Sequence, residues 1–334
     1  MKNIFICTDG TWNTTDQTDR GVLAPSNVAK MARIINSNEQ QLLFYDRGVG
    51  TDNFIDKISG GAFGHGLFEN VKQAYKFIVA NYEQGDTINI FGFSRGAYTA
   101  RSLAGLVTKV GILRKKYISD IDSTYHLYKD TKVERSVLDQ YAENFCHPSS
   151  TIQFLGVWDT VGALGVPLRS FNWITSWRYK FLNTQLSPNI LNAYHALALD
   201  EKRRPFEPTL WKVEDISADQ NVEQRWFAGV HSNIGGGYQD AGLSDLALEW
   251  MLAKLREVMP GIALDESYIE QMVKPNPLGE LRESLSWSYP VSKVRPFIRM
   301  PLTQDTANEV IDESVATRIE NGDYQPAYIK EKSD

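Results

Sequence analysis

Cysteine is almost missing from this chain: Cys7 and Cys146 are the only two in 334 residues. Two thiols make no disulfide framework for so long a chain, and neither has a zinc-ligand spacing. Cys7 falls in the apolar run Ile4-Phe5-Ile6-Cys7 and reads as a small buried hydrophobe. Long apolar runs are missing too. No stretch approaches the ~18 residues of a spanning helix, and four apolar residues after Met1-Lys2-Asn3 are too few for a signal-peptide core. The expectation is a chain that is cytoplasmic as synthesised, exported only by a route that needs no cleaved signal. Excess positive charge is the third absence: 35 Lys+Arg against 41 Asp+Glu gives −6. That balance gives no net attraction for nucleic acid, and a transient membrane-surface contact would need a local patch. Gly60–Gly66, read as a flexible loop, is not followed by Lys-Ser/Thr, so nucleotide binding is not expected.

What is present is an alternation of short apolar runs with helix-period segments, the pattern of a mostly parallel sheet covered by helices. Strands are predicted at Asn3–Thr8, Gln41–Tyr45, Thr87–Phe91, Thr151–Trp158, Ala196–Leu199 and Val222–Val230. Helices are predicted at Asn27–Ile35, Leu67–Asn81, Ala97–Val110, Tyr117–Tyr128 and Ser244–Val258, with Ser26 and Ser244 as N-caps. The fold class is therefore α/β, with residues 1–260 as core and 261–334 as an extension ending in a polar tail. The aromatic-rich segment Phe171–Leu186 reads as a cap or lid inserted at about 165–195.

Thr87-Ile88-Asn89-Ile90-Phe91 leads into Gly92-Phe93-Ser94-Arg95-Gly96, and Ala97–Leu106 continues as a helix. Strand, G-x-S-x-G and helix in that order make a nucleophile elbow, which displays a serine on a strained turn at the top of an α/β-hydrolase sheet. The flanking glycines avoid collisions with neighbouring backbone. The Arg95 N–H, at the start of the helix, is a candidate oxyanion donor.

A serine hydroxyl needs a base, usually histidine. Of the five histidines, His126 and His147 read as surface residues, His195 as structural, and His65 as a residue among glycines. His231 directly follows the run Arg225–Val230, on a loop at a strand's C-terminal end, where ligands gather in open α/β sheets. The acid should lie between serine and histidine. Asp159 ends Ile152–Trp158 and precedes a turn containing Gly162; Asp200 ends His195–Leu199. Asp159 is preferred, because its strand is longer and Gly162 allows a tight turn; Asp200 is the runner-up, with a salt bridge to Arg203 or Arg204 as its structural role. Asp9-Gly10-Thr11-Trp12 follows the first strand, where the amide of Thr11 or Trp12 is a candidate second oxyanion donor.

Five ordered motifs, Asp9–Asn13, Tyr45–Thr51, Gly92–Ala97, Trp158–Gly162 and Gly229–Tyr238, resemble the α/β-hydrolase family known as domain of unknown function 2235. The likeness runs from about Asn3 to Glu249. It implies a lipolytic Ser-Asp-His site, and it implies phospholipase effectors of type VI secretion, with a secretion-system or immunity protein as partner. One departure is visible: the family usually has an acid two residues after the histidine, and here that residue is Asn233.

The leading expectation is thus a serine hydrolase of lipids or small esters that needs no cofactor and no metal. One alternative is a metal-dependent phosphoesterase, with Asp9, Asp46, Asp159 and Asp200 ringing a metal beside His231. A non-catalytic binding protein on a hydrolase fold is the other.

Overall fold

A computed structural model describes residues 1–10, 16–48, 62–148, 150–161, 186–285, 297–303, 306–322 and 324–331. Seven strands form one parallel sheet: β1 (Asn3–Thr8), β4 (Gln41–Asp46), β5 (Thr87–Phe93), β6 (Phe154–Trp158), β7 (Asn192–Ala198), β8 (Asn221–Phe227) and β9 (Glu309–Ile311). The two-residue strands β2 (Thr18–Asp19) and β3 (Val22–Leu23) make a separate antiparallel pair. The order across the sheet is β4-β1-β5-β6-β7-β8-β9. After β1 the chain turns to one side, and after β5 to the other. The crevice outside the C-terminal ends of β1 and β5 is therefore the switch point at which open α/β sheets bind ligands.

Period-two alternation assigns each strand's side chains to two separate cores. Ile4, Ile6, Ile88, Ile90, Leu155 and Val157 pack under α2 (Ala62–Asn81) and α3 (Arg95–Val110) on one face. Phe5, Cys7, Phe91, Phe93, Phe154 and Trp158 pack under α1 (Asn27–Ile34) and the helix Gly242–Val258 on the other. Both faces are covered, which is why the strands read as nearly continuous apolar runs.

All six predicted strands are present. β7 begins earlier than expected, so His195 lies inside it, and Asn192–His195 are strand rather than cap. Two local readings change. Ala62–Gly66 is helical backbone, the first turn of α2, and not loop. The cost of a glycine in a helix, ~1 kcal/mol, is outweighed by burial of Val71, Ala74, Tyr75 and Ile78 further along the same helix. Ser26 does cap α1, accepting from the Ala29 N–H at 3.0 Å. Ser244 is not a cap: its helix starts at Gly242, and Ser244 Oγ donates to Ala241 O within the first turn. Beyond residue 260, β9 extends the sheet, and Val315 and Tyr328 pack with Leu197 and Trp226. Among the described residues no helix is long and apolar enough to cross a membrane.

Candidate active site

Ser94 stands between β5 and α3 with φ +58° and ψ −120°. A non-glycine residue there costs on the order of 1–3 kcal/mol, met by the surrounding structure. The Ser94 N–H donates to Trp158 O at 3.0 Å, tying the turn to the end of β6. The two glycines have concrete reasons. A Cβ on Gly92 would lie 2.6 Å from Gly96 O and 2.7 Å from Ala97 Cα. A Cβ on Gly96 would strike the carbonyls of Thr8 and Asp9 at the end of β1. The motif thus lets α3 press against both strands at the switch point.

His231 opens the short helix His231–Gly235 rather than lying on an open loop. Gly229, at φ +126°, bends the chain just before it. Its Nε2 lies 2.7 Å from Ser94 Oγ and its Nδ1 2.6 Å from Asp159 Oδ2. The ring packs between Phe93, at 4.7 Å between centroids, and Phe206, edge-on at 4.9 Å. Asp159 is fully buried, with φ +39°. Burial opposes its charge, yet the Arg299 guanidinium and His231 hold its carboxyl well below the usual carboxylate range. Ser94, Asp159 and His231, named from sequence, are thus brought into one hydrogen-bonded chain.

The other candidates fall elsewhere. Asp200 takes the Gly229 N–H at 2.7 Å and the Tyr324 hydroxyl at 2.9 Å, bracing the bend ahead of His231. The salt bridge expected of it goes to its neighbour, since Arg203 pairs with the buried Glu201 at 2.8 Å. Arg95 is the first residue of α3, so its N–H lies at a helix start beside Ser94. Thr11 lies outside the described residues, as do 162–185, which hold most of the expected lid. Asp9 accepts from Gly10 N, Ser26 Oγ and Tyr45 Oη. Burial and the Asp9 carboxylate push Asp46 up to about 6. Asp9, Asp159 and Asp200, grouped around a metal in the alternative reading, thus each face their own donors. Among the described residues no cluster of three His, Cys, Asp or Glu could hold a metal ion.

Three neighbours of the site were not foreseen. Arg299 donates to Asp159 Oδ1 at 2.6 Å and to Oδ2 at 3.1 Å from 140 residues away. Glu201 Oε2 accepts the His231 backbone N–H at 3.3 Å. Phe206 walls the imidazole. None has a local sequence signal; Arg299 stands in a stretch with no clear periodicity, and only the closed sheet brings it inward. Asn233, two residues after His231, accepts from Val230 N and donates to Glu280 O at 2.9 Å, a bond a carboxylate could not give.

Residues 2–254 match the family described as the catalytic domain of type VI secretion system (T6SS) Tle1-like phospholipase effectors, and the chain belongs to that family. A curated relative, the uncharacterized protein YEL023C of Saccharomyces cerevisiae, is 26% identical over 232 residues, 62% of this chain and 32% of the yeast protein. An uncharacterized protein from Pseudomonas aeruginosa, solved by crystallography, superposes with a TM-score of 0.50 at 17% identity, over 82% of this chain and 49% of its own. The Tle1 effector bound to the VgrG spike of a type 6 secretion system aligns at TM-score 0.41 and 16% identity, over 72% of this chain and 52% of its own. The chain thus spans between about a third and a half of the relatives it matches.

Proposed function

We propose that this member of the Tle1-like phospholipase effector family is a serine hydrolase that cleaves carboxylic esters of lipids, with Ser94 as nucleophile, His231 as base and Asp159 as acid. The observation that carries the reading is the unbroken chain Ser94 Oγ–His231 Nε2–Nδ1–Asp159 Oδ2, at 2.7 and 2.6 Å. It begins on a strained elbow and ends on a buried carboxylate. The family description motivates the phospholipid substrate and delivery by a secretion system.

In this mechanism the Ser94 Oγ attacks the ester carbonyl as His231 Nε2 takes its proton. Asp159, holding Nδ1–H, fixes the tautomer and stabilises the imidazolium. The oxyanion forms beside the start of α3, where the Arg95 N–H and the positive end of a 16-residue helix favour negative charge. A proton from His231 releases the alcohol, in a phospholipid the lysolipid. Water, deprotonated by His231, then frees the fatty acid from Ser94. Thr11 is proposed as the second oxyanion donor, and the stretch from about residue 165 to the start of β7 as a cap over the acyl chain. The division into a core of 1–260 and an extension of 261–334 is likewise proposed.

The test is phospholipid-vesicle hydrolysis combined with fluorophosphonate labelling, with and without chelator. Labelling at Ser94, activity indifferent to chelator, and a loss of at least about 1000-fold in Ser94→Ala support the reading. Full turnover by Ser94→Ala would sink it.

A further inference from the structure

Arg299 is 2% exposed, and four of its contacts converge on the site. Nη1 donates to Asp159 Oδ1 at 2.6 Å and to Ala198 O at 2.7 Å. Nη2 donates to Asp159 Oδ2 at 3.1 Å and to Phe206 O. One planar group therefore ties together the carboxylate after β6, the end of β7, and the turn whose phenyl ring packs on His231. With the Ala198 N–H on Oδ1 at 3.1 Å and His231 on Oδ2, each carboxylate oxygen receives two donors. The Asp159 carboxylate has no freedom left to rotate away from the imidazole. Arg299 also lies outside residues 2–254, the part of the chain that matches the catalytic-domain family. A residue from beyond that domain completes its interior.

We propose that Arg299 is a positioning residue for the reaction: its planar fork locks Asp159 and the Phe206 wall around His231. This inference rests on the Ser94–His231–Asp159 reading. Glu201 meets the His231 backbone N–H and pairs with Arg203. Asp200 faces Gly229 N and Tyr324 instead. The orientation of Asp159 toward the imidazole is thus set by Arg299 and the Ala198 N–H.

Two variants separate charge from geometry: Arg299→Lys keeps the charge and loses the fork, and Arg299→Gln loses both. The expected result for Arg299→Gln is a fall in kcat on the order of 100-fold with little change in KM. Arg299→Lys, which lacks the fork, is also expected to lose kcat with little change in KM. A residue that only stabilised the fold would lower the melting temperature and leave the kcat of the folded protein in place. The proposal is overturned if folded Arg299→Gln keeps the wild-type kcat. Where Arg299→Gln does not fold, Arg299→Lys decides: full kcat overturns the proposal, and a fall in kcat at constant KM supports it. Ser94→Ala measured alongside distinguishes the failures. If Ser94→Ala turns over normally, the triad reading itself has failed; if it is dead and Arg299 substitutions leave kcat unchanged, only this inference has.

Discussion

Two carboxylates at adjacent strand ends, Asp159 after β6 and Asp200 after β7, take different donors, and the difference sets what each substitution should do. Asp159 faces an imidazole and a guanidinium, and Asp200 a backbone N–H and a phenol. Asp159→Asn presents an amide to Arg299 and removes the acceptor that fixes the His231 tautomer. Turnover should fall by roughly four orders of magnitude. Stability should fall as well, by about 3–5 kcal/mol, the usual penalty for breaking a buried ion pair from one side. Asp200→Asn keeps an oxygen for Gly229 N and should retain most activity. Steady-state ester hydrolysis and thermal melting of the two proteins check this. Inactive Asp200→Asn beside active Asp159→Asn would reassign the acid.

At the scale of elements, the strand–elbow–helix unit works because α3 can approach β1 and β5 without side chains between them. Gly96→Ala drives a methyl into the Thr8 and Asp9 carbonyls, which are backbone and cannot rotate aside. Overpacking of this kind costs about 1–3 kcal/mol, and the elbow should shift enough to misplace Ser94 and abolish hydrolysis. Gly261→Ala is the control. That glycine has φ +94° and nothing within 4 Å of its would-be Cβ, so backbone strain of about 1 kcal/mol is its only expected effect, with activity intact. Equal activity in both variants, read by ester hydrolysis on melted and unmelted samples, would contradict this account of the motif.

Across the whole molecule, residues from both ends of the chain share one sheet and one site, so acid should act on fold and function together. His195 is 0% exposed inside β7, its Nε2 accepting from Thr160 N at 3.1 Å. Burial, then Arg101, holds it down to about 3, against roughly 6.5 for an unfolded histidine. Between those values the unfolded chain binds the proton and the native one does not. Stability is therefore complete above about pH 6.5 and declines as pH falls toward 3. Asp159, held below the usual carboxylate range, adds its own loss only in stronger acid. Urea unfolding at several pH values between about 7 and 4 should show the decline, and His195→Gln should flatten it. An equally steep dependence in the variant would assign the acid sensitivity elsewhere.

The sequence by itself determined the elements that carry their own periodicity and chemistry. β1 has the same bounds in both readings because its apolar run is bounded by polar residues, and the G-x-S-x-G turn names Ser94 because few other contexts need glycine on both sides of a serine. His231 and Asp159 were legible from their places at strand ends, a consequence of the one direction in which a parallel sheet points its loops. Only tertiary structure decided the rest. The start of α2 among glycines is settled by packing further along the helix, not by local propensity. The partner of Asp200 was misread because a cation nearby in sequence, Arg203, is drawn to Glu201 instead. Arg299 had no local mark at all. A buried charge is satisfied by whatever group the closed fold brings within about 3 Å, and sequence distance sets no limit on which group that is.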